Sequence, residues 1–491
     1  MTHTPTVEQE AIYAAATETE DNLLISALAG AAKTSTLVEL SHRVQVRAGL
    51  CVAFNKKIAD ELKQRMPGNF ECKTLNALGH AAWADKVGKR LRVNKSKMYE
   101  ILTSVLDDFE HTEPKLAEEA RENFSLILRT LGQAKSGGHI PDYFNKHFKK
   151  APARLMDDQE LFDSMEEEID STIFREVILV ALEKSARQAF EGNIDFADQL
   201  LMPAVFGGLF PRYPLVLVDE AQDLSALNHL LLERFVKKRI IAVGDQCQAI
   251  YAFRGAYEDG MQQMRERWHM VEMPLSISFR CPEVIVKHVQ WRAPHMQAWK
   301  GNTTLSILRH MAIWDPTDIP EGAAIICRNN APLLSMGMRL FKQGIYPNIW
   351  GNDIAAGLLG QLEKLGPANM TKQQVLEAIA DWQDKKSKTV RNQKLLADKT
   401  ECLRILAGQG DTLADAIEAG KALFNSKGRV HLMTGHKSKG HEFLDVFFLD
   451  EELVTDEGQD QNLRYVICTR SQCNLTYIKS DGWADNELEY F

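Results

Sequence analysis

The sequence predicts an α/β protein built on parallel sheet, and three observations predict it. Leu215-Val216-Leu217-Val218 is a short unbroken apolar run, the pattern of a strand buried on both faces. It delivers Asp219 and Glu220 side by side at its carboxyl end, followed by Gln222 and Asp223. Near the start of the chain, Asp21-Asn22 punctuate, Leu23-Leu24-Ile25 read as a second strand, and a turn of small residues leads into a stretch that opens a helix. Apolar residues then recur at helical spacing over residues 98–109 and 174–190, which predicts long helices between the strand-bearing regions.

The small-residue turn is Ala27-Leu28-Ala29-Gly30-Ala31-Ala32-Lys33-Thr34, with Ser35 and the following residues as the helix start. Strand, small-residue turn, Lys-Thr, helix is the layout of a phosphate loop. Backbone N–H groups and the helix N-terminus cradle phosphate. Ala27, Gly30, Ala31, Ala32 and Ser35 would line the cradle, Lys33 would reach the β- and γ-phosphates, and Thr34 would ligate Mg²⁺. The usual pattern has glycine where Ala32 stands, because a Cβ hinders close approach to phosphate and disfavours positive φ. Two accounts are open: the backbone keeps φ negative at Ala32 and the residue is tolerated, or Ala32 crowds the phosphates and lowers activity. Tolerance is the expectation. Alone, the segment also reads as an Ala-rich strand–helix turn. The downstream pair Asp219-Glu220 changes that reading, since two carboxylates at a strand end suit metal holding by one and water polarisation by the other.

Further segments follow in order. They are Thr6-Val7-Glu8-Gln9; Val52-Ala53-Phe54-Asn55-Lys56-Lys57; Thr74-Leu75-Asn76; Val243-Gly244-Asp245-Gln246-Cys247-Gln248-Ala249-Ile250-Tyr251-Ala252-Phe253-Arg254-Gly255-Ala256; Leu275-Ser276-Ile277-Ser278-Phe279-Arg280; Thr434-Gly435-His436-Lys437-Ser438-Lys439-Gly440-His441-Glu442-Phe443; and Leu463-Arg464-Tyr465-Val466-Ile467-Cys468-Thr469-Arg470. Together with the phosphate loop and the Asp-Glu pair, this ordered set resembles the motifs of superfamily 1 DNA helicases of the UvrD/Rep/PcrA type. The shorter, F-box-helicase-like branch, often phage-borne, is nearest. The resemblance runs over residues 6–475. Departures are Ala32, Asn76 where the family more often has His, and Phe279 where Tyr is common.

The resemblance implies an α/β fold with two RecA-like parallel-sheet lobes of the P-loop NTPase type and mainly helical insertions. Residues 1–80 and 194–273 are expected to form the first lobe, with 81–193 as its helical insertion. Residues 274–351 and 426–491 form the second lobe, with 352–425 as a short helical insertion. ATP would bind between the lobes with Mg²⁺ on Thr34 and Asp219. Glu220 would orient or deprotonate the attacking water. Lys33, Arg280 and Arg470 would surround the γ-phosphate with positive charge, a demand set by phosphoryl transfer itself. Gln248 would sense that phosphate, Gln9 would read adenine, Phe279 would stack on it, and Glu442 would accept from the ribose. Phe279 and Glu442 read equally well as core and surface residues.

On the DNA side, a motor indifferent to sequence should stack bases on aromatic faces and hold phosphates with polar groups. Phe54 and Phe253 are the stacking candidates, with Tyr251 and Arg254 beside them; Phe54 reads equally as core. Asn55 and Thr74 belong to the DNA-contacting motifs of the first lobe, and Thr434, His436 and Lys437 to the second. The implied function is an ATP-dependent DNA helicase moving 3′ to 5′ on single-stranded DNA, with ATP and Mg²⁺ as cofactors. Single strands and single-strand/duplex junctions are the expected partners, with replication or recombination proteins beside them. The alternatives are a translocase that strips proteins without unwinding, and an ATP-sensing DNA-binding protein with a decayed phosphate loop.

Composition sets the limits. The 491 residues carry a net charge of −9, with 45% hydrophobic and 25% charged residues, ordinary for a globular protein of two to four domains. The negative balance argues against indiscriminate coating of nucleic acid. The densest basic stretches, 146–154 and 385–394, fall in the two insertions, where duplex DNA is a candidate partner. Eight scattered cysteines without a CxxC pair suggest neither a zinc site nor a disulfide framework. The polar N-terminus has no apolar signal core, and no apolar run reaches membrane-spanning length. A bacterial cytoplasm, or that of a phage-infected host, is the expected location. With little sequence after residue 470, an appended nuclease is not expected.

Overall fold

The computed structural model of the chain describes residues 4–141, 161, 171–251, 259–387 and 393–483. The chain divides into two compact units: residues 1–27 with 32–275, and residues 28–31 with 276–491. Phe253, Arg254 and the basic stretch 146–154 lie outside the described residues, as do residues 388–392 of the stretch 385–394.

The first unit is built on a six-stranded, all-parallel sheet. Its early strands are β1 (Leu23–Ala27), β2 (Gly49–Ala53) and β3 (Phe70–Thr74). The short strands β4 (Arg92–Val93) and β5 (Asn193–Ile194) pair in parallel where the helical insertion leaves and re-enters. Then follow β6 (Tyr213–Val218), β7 (Val236–Gly244) and β8 (Val271–Leu275). The order across the sheet is β3-β2-β6-β7-β1-β8. β2, β6 from Leu215 on and β7 from Ile240 on are apolar and buried, the pattern of parallel strands with helices on both faces. At the edge, β8 tolerates Pro274, whose missing N–H would break a central ladder.

The insertion packs the helices Lys97–Thr112, Pro114–Glu122, Phe124–Ser136 and Ser171–Glu191. Their apolar faces close a core of their own through Ile101, Val105, Leu131, Phe174 and Ile178. The periodicity at 98–109 and 174–190 therefore falls on real helices, with Phe109 and Phe174 both buried.

The second unit repeats the plan. The pair β9 (Ile277–Ser278) and β10 (Gln297–Ala298) stands apart from the main sheet. That sheet comprises β11 (Leu308–Met311), β12 (Ala324–Cys327), β13 (Pro347–Ile349), β14 (Val430–Thr434), β15 (Phe443–Leu449) and β16 (Ser471–Ile478). All pairs are parallel, in the order β11-β16-β15-β12-β14-β13. Four helices, Asn352–Leu362, Lys372–Ser387, Gln393–Ala407 and Leu413–Phe424, interrupt it between β13 and β14. They share a core with Ala331, Leu334 and Met338 of the helix Asn330–Lys342. Two parallel α/β sheets with mainly helical insertions are the fold class that the sequence predicts. No helix among the described residues is long and apolar enough to cross a membrane.

Candidate active site

In a parallel sheet the strand carboxyl ends share one edge, and the loops there carry the chemistry. In the first unit β1 leads into the phosphate-loop segment, β2 into Phe54-Asn55, β6 into Asp219-Glu220, and β7 into Asp245-Gln248. Folding thus gathers motifs that are far apart in the chain.

The helix Lys33–Arg43 starts with no side chain capping its first N–H groups. Those donors are left for an anion. Ala32, its N-cap, has φ 58° and ψ 38°. This corrects the expectation of negative φ: the loop needs a left-handed residue here whatever its side chain, because the chain must turn from strand into helix. An alanine in that region carries strain of about 1–2 kcal/mol. Gly30, at φ 73°, lies within the second unit's cluster; a Cβ there would stand 2.6 Å from both Arg280 Cβ and Ser278 Oγ.

Thr34 Oγ1 donates to Asp219 Oδ2 at 2.9 Å across 185 residues of sequence. Lys33 Nζ stands 3.6 Å from Glu220 Oε2. Asp219 is buried, and its carboxyl is pushed up to about 7, first by burial and then by the neighbouring Glu220. Glu220 holds φ 54°, a second left-handed non-glycine residue. Such strain persists only where the surroundings over-determine it, which makes it a pointer to function. Glu220 N–H donates to Asp219 Oδ1 at 3.0 Å.

From Glu220 a hydrogen-bonded chain runs to β7. Gln222 Nε2 donates to Glu220 Oε2 at 2.6 Å, and Asp245 N–H donates to Gln222 Oε1 at 2.9 Å. Gln248 Nε2 donates to Asp245 Oδ2 at 2.6 Å. Burial holds Asp245 above the usual carboxylate range. Gly244 lets this chain close, since a Cβ there would meet Gln222 Oε1 at 2.6 Å. Sequence reasoning assigned no role to Gln222 or Asp245, although both stand inside the quoted motifs; a side chain that only links two motifs has no signature of its own.

Gln9 sits elsewhere in the same unit. Its Oε1 accepts Thr6 N–H in a capping box, and its Nε2 donates to Thr36 Oγ1 at 3.0 Å, beside the phosphate loop. Ser35 Oγ accepts from Arg65.

The DNA candidates of this unit cluster at β2, β3 and β7. Phe54 is 41% exposed, so it is not core. Its ring lies parallel to Tyr251, 5° between planes and 6.0 Å between centroids. A cavity of about 160 Å³ is lined by both rings together with Ser136, Ala197, Leu200 and Asn228. Asn55 and Thr74 are helix N-caps, accepting from Ile58 N–H and Ala77 N–H. Asn76 donates to Phe196 O and Gln199 Oε1, tying the re-entering segment to the lobe.

In the second unit, Arg280 Nε donates to Glu442 Oε2 at 2.6 Å, and Gln472 Nε2 donates to Glu442 Oε1 at 2.9 Å. Glu442, read as a ribose acceptor, is thus placed against Arg280. Arg470 is 1% exposed; its guanidinium donates to Val466 O, His441 O and Thr469 Oγ1. Arg280 keeps a fifth of its side-chain surface exposed. Phe279 packs at 43° against Trp299, and its N–H donates to Gly30 O, both within this unit. Thr434 ends β14, and His436 and Lys437 lie on the four-residue helix Gly435–Ser438 that follows.

Thr34 and Asp219 offer hard oxygen atoms at one point, with Asp219 too buried to carry its charge comfortably alone. That donor set fits Mg²⁺, which takes one or two protein oxygens and fills its other positions with water and phosphate.

Residues 7–269 match the family model described as UvrD/REP helicase N-terminal domain. The chain is 24% identical to F-box DNA helicase 1 of Gallus gallus, over 96% of this chain and 48% of that protein. It is 23% identical to F-box DNA helicase protein 1 of Schizosaccharomyces pombe, over 68% of this chain and 39% of that protein. It is 25% identical to ATP-dependent DNA helicase UvrD1 of Mycobacterium tuberculosis, over 48% of this chain and 32% of that protein. The chain therefore spans about half or less of the length of these relatives.

Proposed function

Because the chain belongs to the UvrD/REP helicase family, we propose that it is an ATP-dependent DNA helicase that hydrolyses ATP as it moves along single-stranded DNA. The observation that carries the reading is the meeting of Thr34 with Asp219 and of Lys33 with Glu220. Phosphate-binding and water-activating groups from distant motifs converge there.

The residues divide the chemistry among them. The free N–H groups at the start of Lys33–Arg43 and the Lys33 ammonium bind the β- and γ-phosphates. Thr34 and Asp219 would hold Mg²⁺, which would supply positive charge against the phosphate oxygens. Glu220, held by Gln222, orients the attacking water and takes its proton. The chain Glu220–Gln222–Asp245–Gln248 connects that event to β7, whose following segment carries Tyr251. Bases of the single strand stack on Phe54 and Tyr251. Arg280 and Arg470 are proposed as γ-phosphate ligands from the resemblance, as are Gln9, Phe279 and Glu442 as nucleoside ligands and Thr434, His436 and Lys437 as DNA-phosphate ligands. The lobe and insertion boundaries, the 3′ to 5′ direction and a cytoplasmic setting belong to the same proposal.

Glu220→Gln keeps shape and removes the carboxylate. Mg²⁺–ATP should still bind while DNA-stimulated turnover falls by about 10²-fold or more, the scale of a lost acid–base group. Near-normal turnover would remove Glu220 from the reaction. Strand displacement on duplexes tailed at 3′ or 5′ tests the motor: unwinding of the 3′-tailed substrate alone is expected. ATPase activity without displacement of either substrate would favour a translocase.

A further inference from the structure

The helical insertion of the first unit is joined to its lobe by a group of four charges, three buried and the fourth, Asp195, half-buried. Lys97, 0% exposed, donates to Asp198 Oδ2 at 2.6 Å and to Ser185 O at 2.7 Å. Lys135, 1% exposed, donates to Asp195 Oδ2 at 2.5 Å and to Ser185 Oγ at 3.1 Å, and stands 2.7 Å from Asp198 Oδ1. Asp195 N–H donates to Asp198 Oδ2, and Asp198 N–H to Asp195 Oδ1. Two cations and two anions therefore close on each other. Both lysines and Ser185 come from helices of the insertion. Both aspartates come from the segment that re-enters the lobe after β5.

Stability does not explain this arrangement. The insertion has an apolar core of its own, and a buried ion group is often no more stable than hydrophobic residues of the same volume. Paired buried charges do fix one geometry, because any displacement leaves a charge without a partner. The geometry fixed here reaches the DNA candidates. Ser136, next to Lys135, and Ala197, next to Asp198, both line the cavity shared by Phe54 and Tyr251.

We infer that Lys135 is a positioning residue for single-stranded DNA: by holding the Asp195–Asp198 turn it sets the Ser136 and Ala197 part of the cavity relative to the Phe54 and Tyr251 rings. The inference rests on the DNA-binding reading of that cavity. It separates DNA binding from nucleotide binding, since Lys33 opens the helix after β1 and Asp219 and Glu220 follow β6, whereas the four charges lie on the insertion and the segment after β5.

The test is a titration of the full chain with oligo(dT), read as ATPase stimulation, alongside binding of a fluorescent ADP. In Lys135→Met the oligo(dT) concentration for half-maximal stimulation should rise about tenfold, within the range for loss of one stacked base. Turnover at saturating DNA, unstimulated turnover and ADP affinity should stay at wild-type values. A merely structural role would lower them together. Asp195→Asn is the milder variant if Lys135→Met does not fold. It keeps an acceptor for Asp198 N–H but loses the charge facing Lys135, and it should shift the same midpoint in the same direction. Wild-type midpoints in the folded variants, or an equal loss of ADP affinity, would overturn the inference. If the wild-type chain itself is not stimulated by oligo(dT), the DNA-binding reading fails first.

Discussion

At the scale of single residues, the backbone at Ala32 and Glu220 is the most telling feature. Both sit in the left-handed region without being glycine, one at the phosphate loop and one at the proposed water-activating carboxylate. At Ala32 the strain has no side-chain function to offset it. Ala32→Gly should therefore raise the stability of the nucleotide-free protein by about 1 kcal/mol, visible as a higher denaturation midpoint. Turnover should change by no more than about fivefold, the equivalent of that energy. A large gain of activity would instead mean that the Ala32 Cβ obstructs the phosphates. Phe54 supports a second prediction at this scale. It is too exposed to be core, so Phe54→Ala should leave the melting midpoint nearly unchanged. Affinity for mixed-sequence single strands should fall by roughly 1–3 kcal/mol, the usual worth of a stacked base. Unchanged affinity would remove the Phe54–Tyr251 pair from the DNA path.

At the scale of elements, helix starts and buried groups decide what each segment tolerates. Asn55 and Thr74 cap the helices that follow β2 and β3. Replacing either by alanine should cost about 1 kcal/mol of stability, whether or not it also touches DNA. The helix Ala226–Phe235 carries His229, buried 5.7 Å from the Trp268 ring. Burial, with Arg267 adding to it, pushes its pKa down to about 4 from an ordinary value of 6.5. The folded state thus binds fewer protons than the unfolded state in this window. The stability from a neutral His229 is fully present above pH 6.5 and is lost as pH falls from there towards 4. The loss should be on the order of 3 kcal/mol. His229→Leu should flatten the curve of unfolding free energy against pH over that window; an unchanged slope would place the sensitivity elsewhere.

For the whole molecule, two units with separate apolar cores predict two unfolding transitions rather than one. A ligand of the phosphate loop should raise the transition of the unit that holds Lys33. With Mg²⁺–ADP at about 100 times its Kd, that gain is about 2.7 kcal/mol. Chelating Mg²⁺, or Lys33→Ala, should abolish the shift and leave the other transition in place. A shift that survives Lys33→Ala would place the nucleotide elsewhere.

What the sequence determined by itself is what local pattern encodes. The apolar run before Asp219 is the strand β6, the small-residue turn before Lys33-Thr34 connects β1 to a helix, and the spacing at 98–109 and 174–190 lies on helices. These follow from period and punctuation, which act over a few residues. The order of motifs likewise carried the family, since chemistry at strand ends recurs at strand spacing. Only the tertiary structure decided the rest. Positive φ at Ala32 arises from the path between strand and helix, not from alanine's preference, which opposes it. That Glu442 pairs with Arg280 and that Arg470 donates to His441 O was decided in space, because partners across 162 and 29 residues leave no local trace. The linking roles of Gln222 and Asp245, the parallel faces of Phe54 and Tyr251, and the four charges around Lys135 and Asp198 exist only once distant strand ends and helices meet. Side-chain partnership is a property of position in space, and the pattern along the chain fixes only which element each residue rides on.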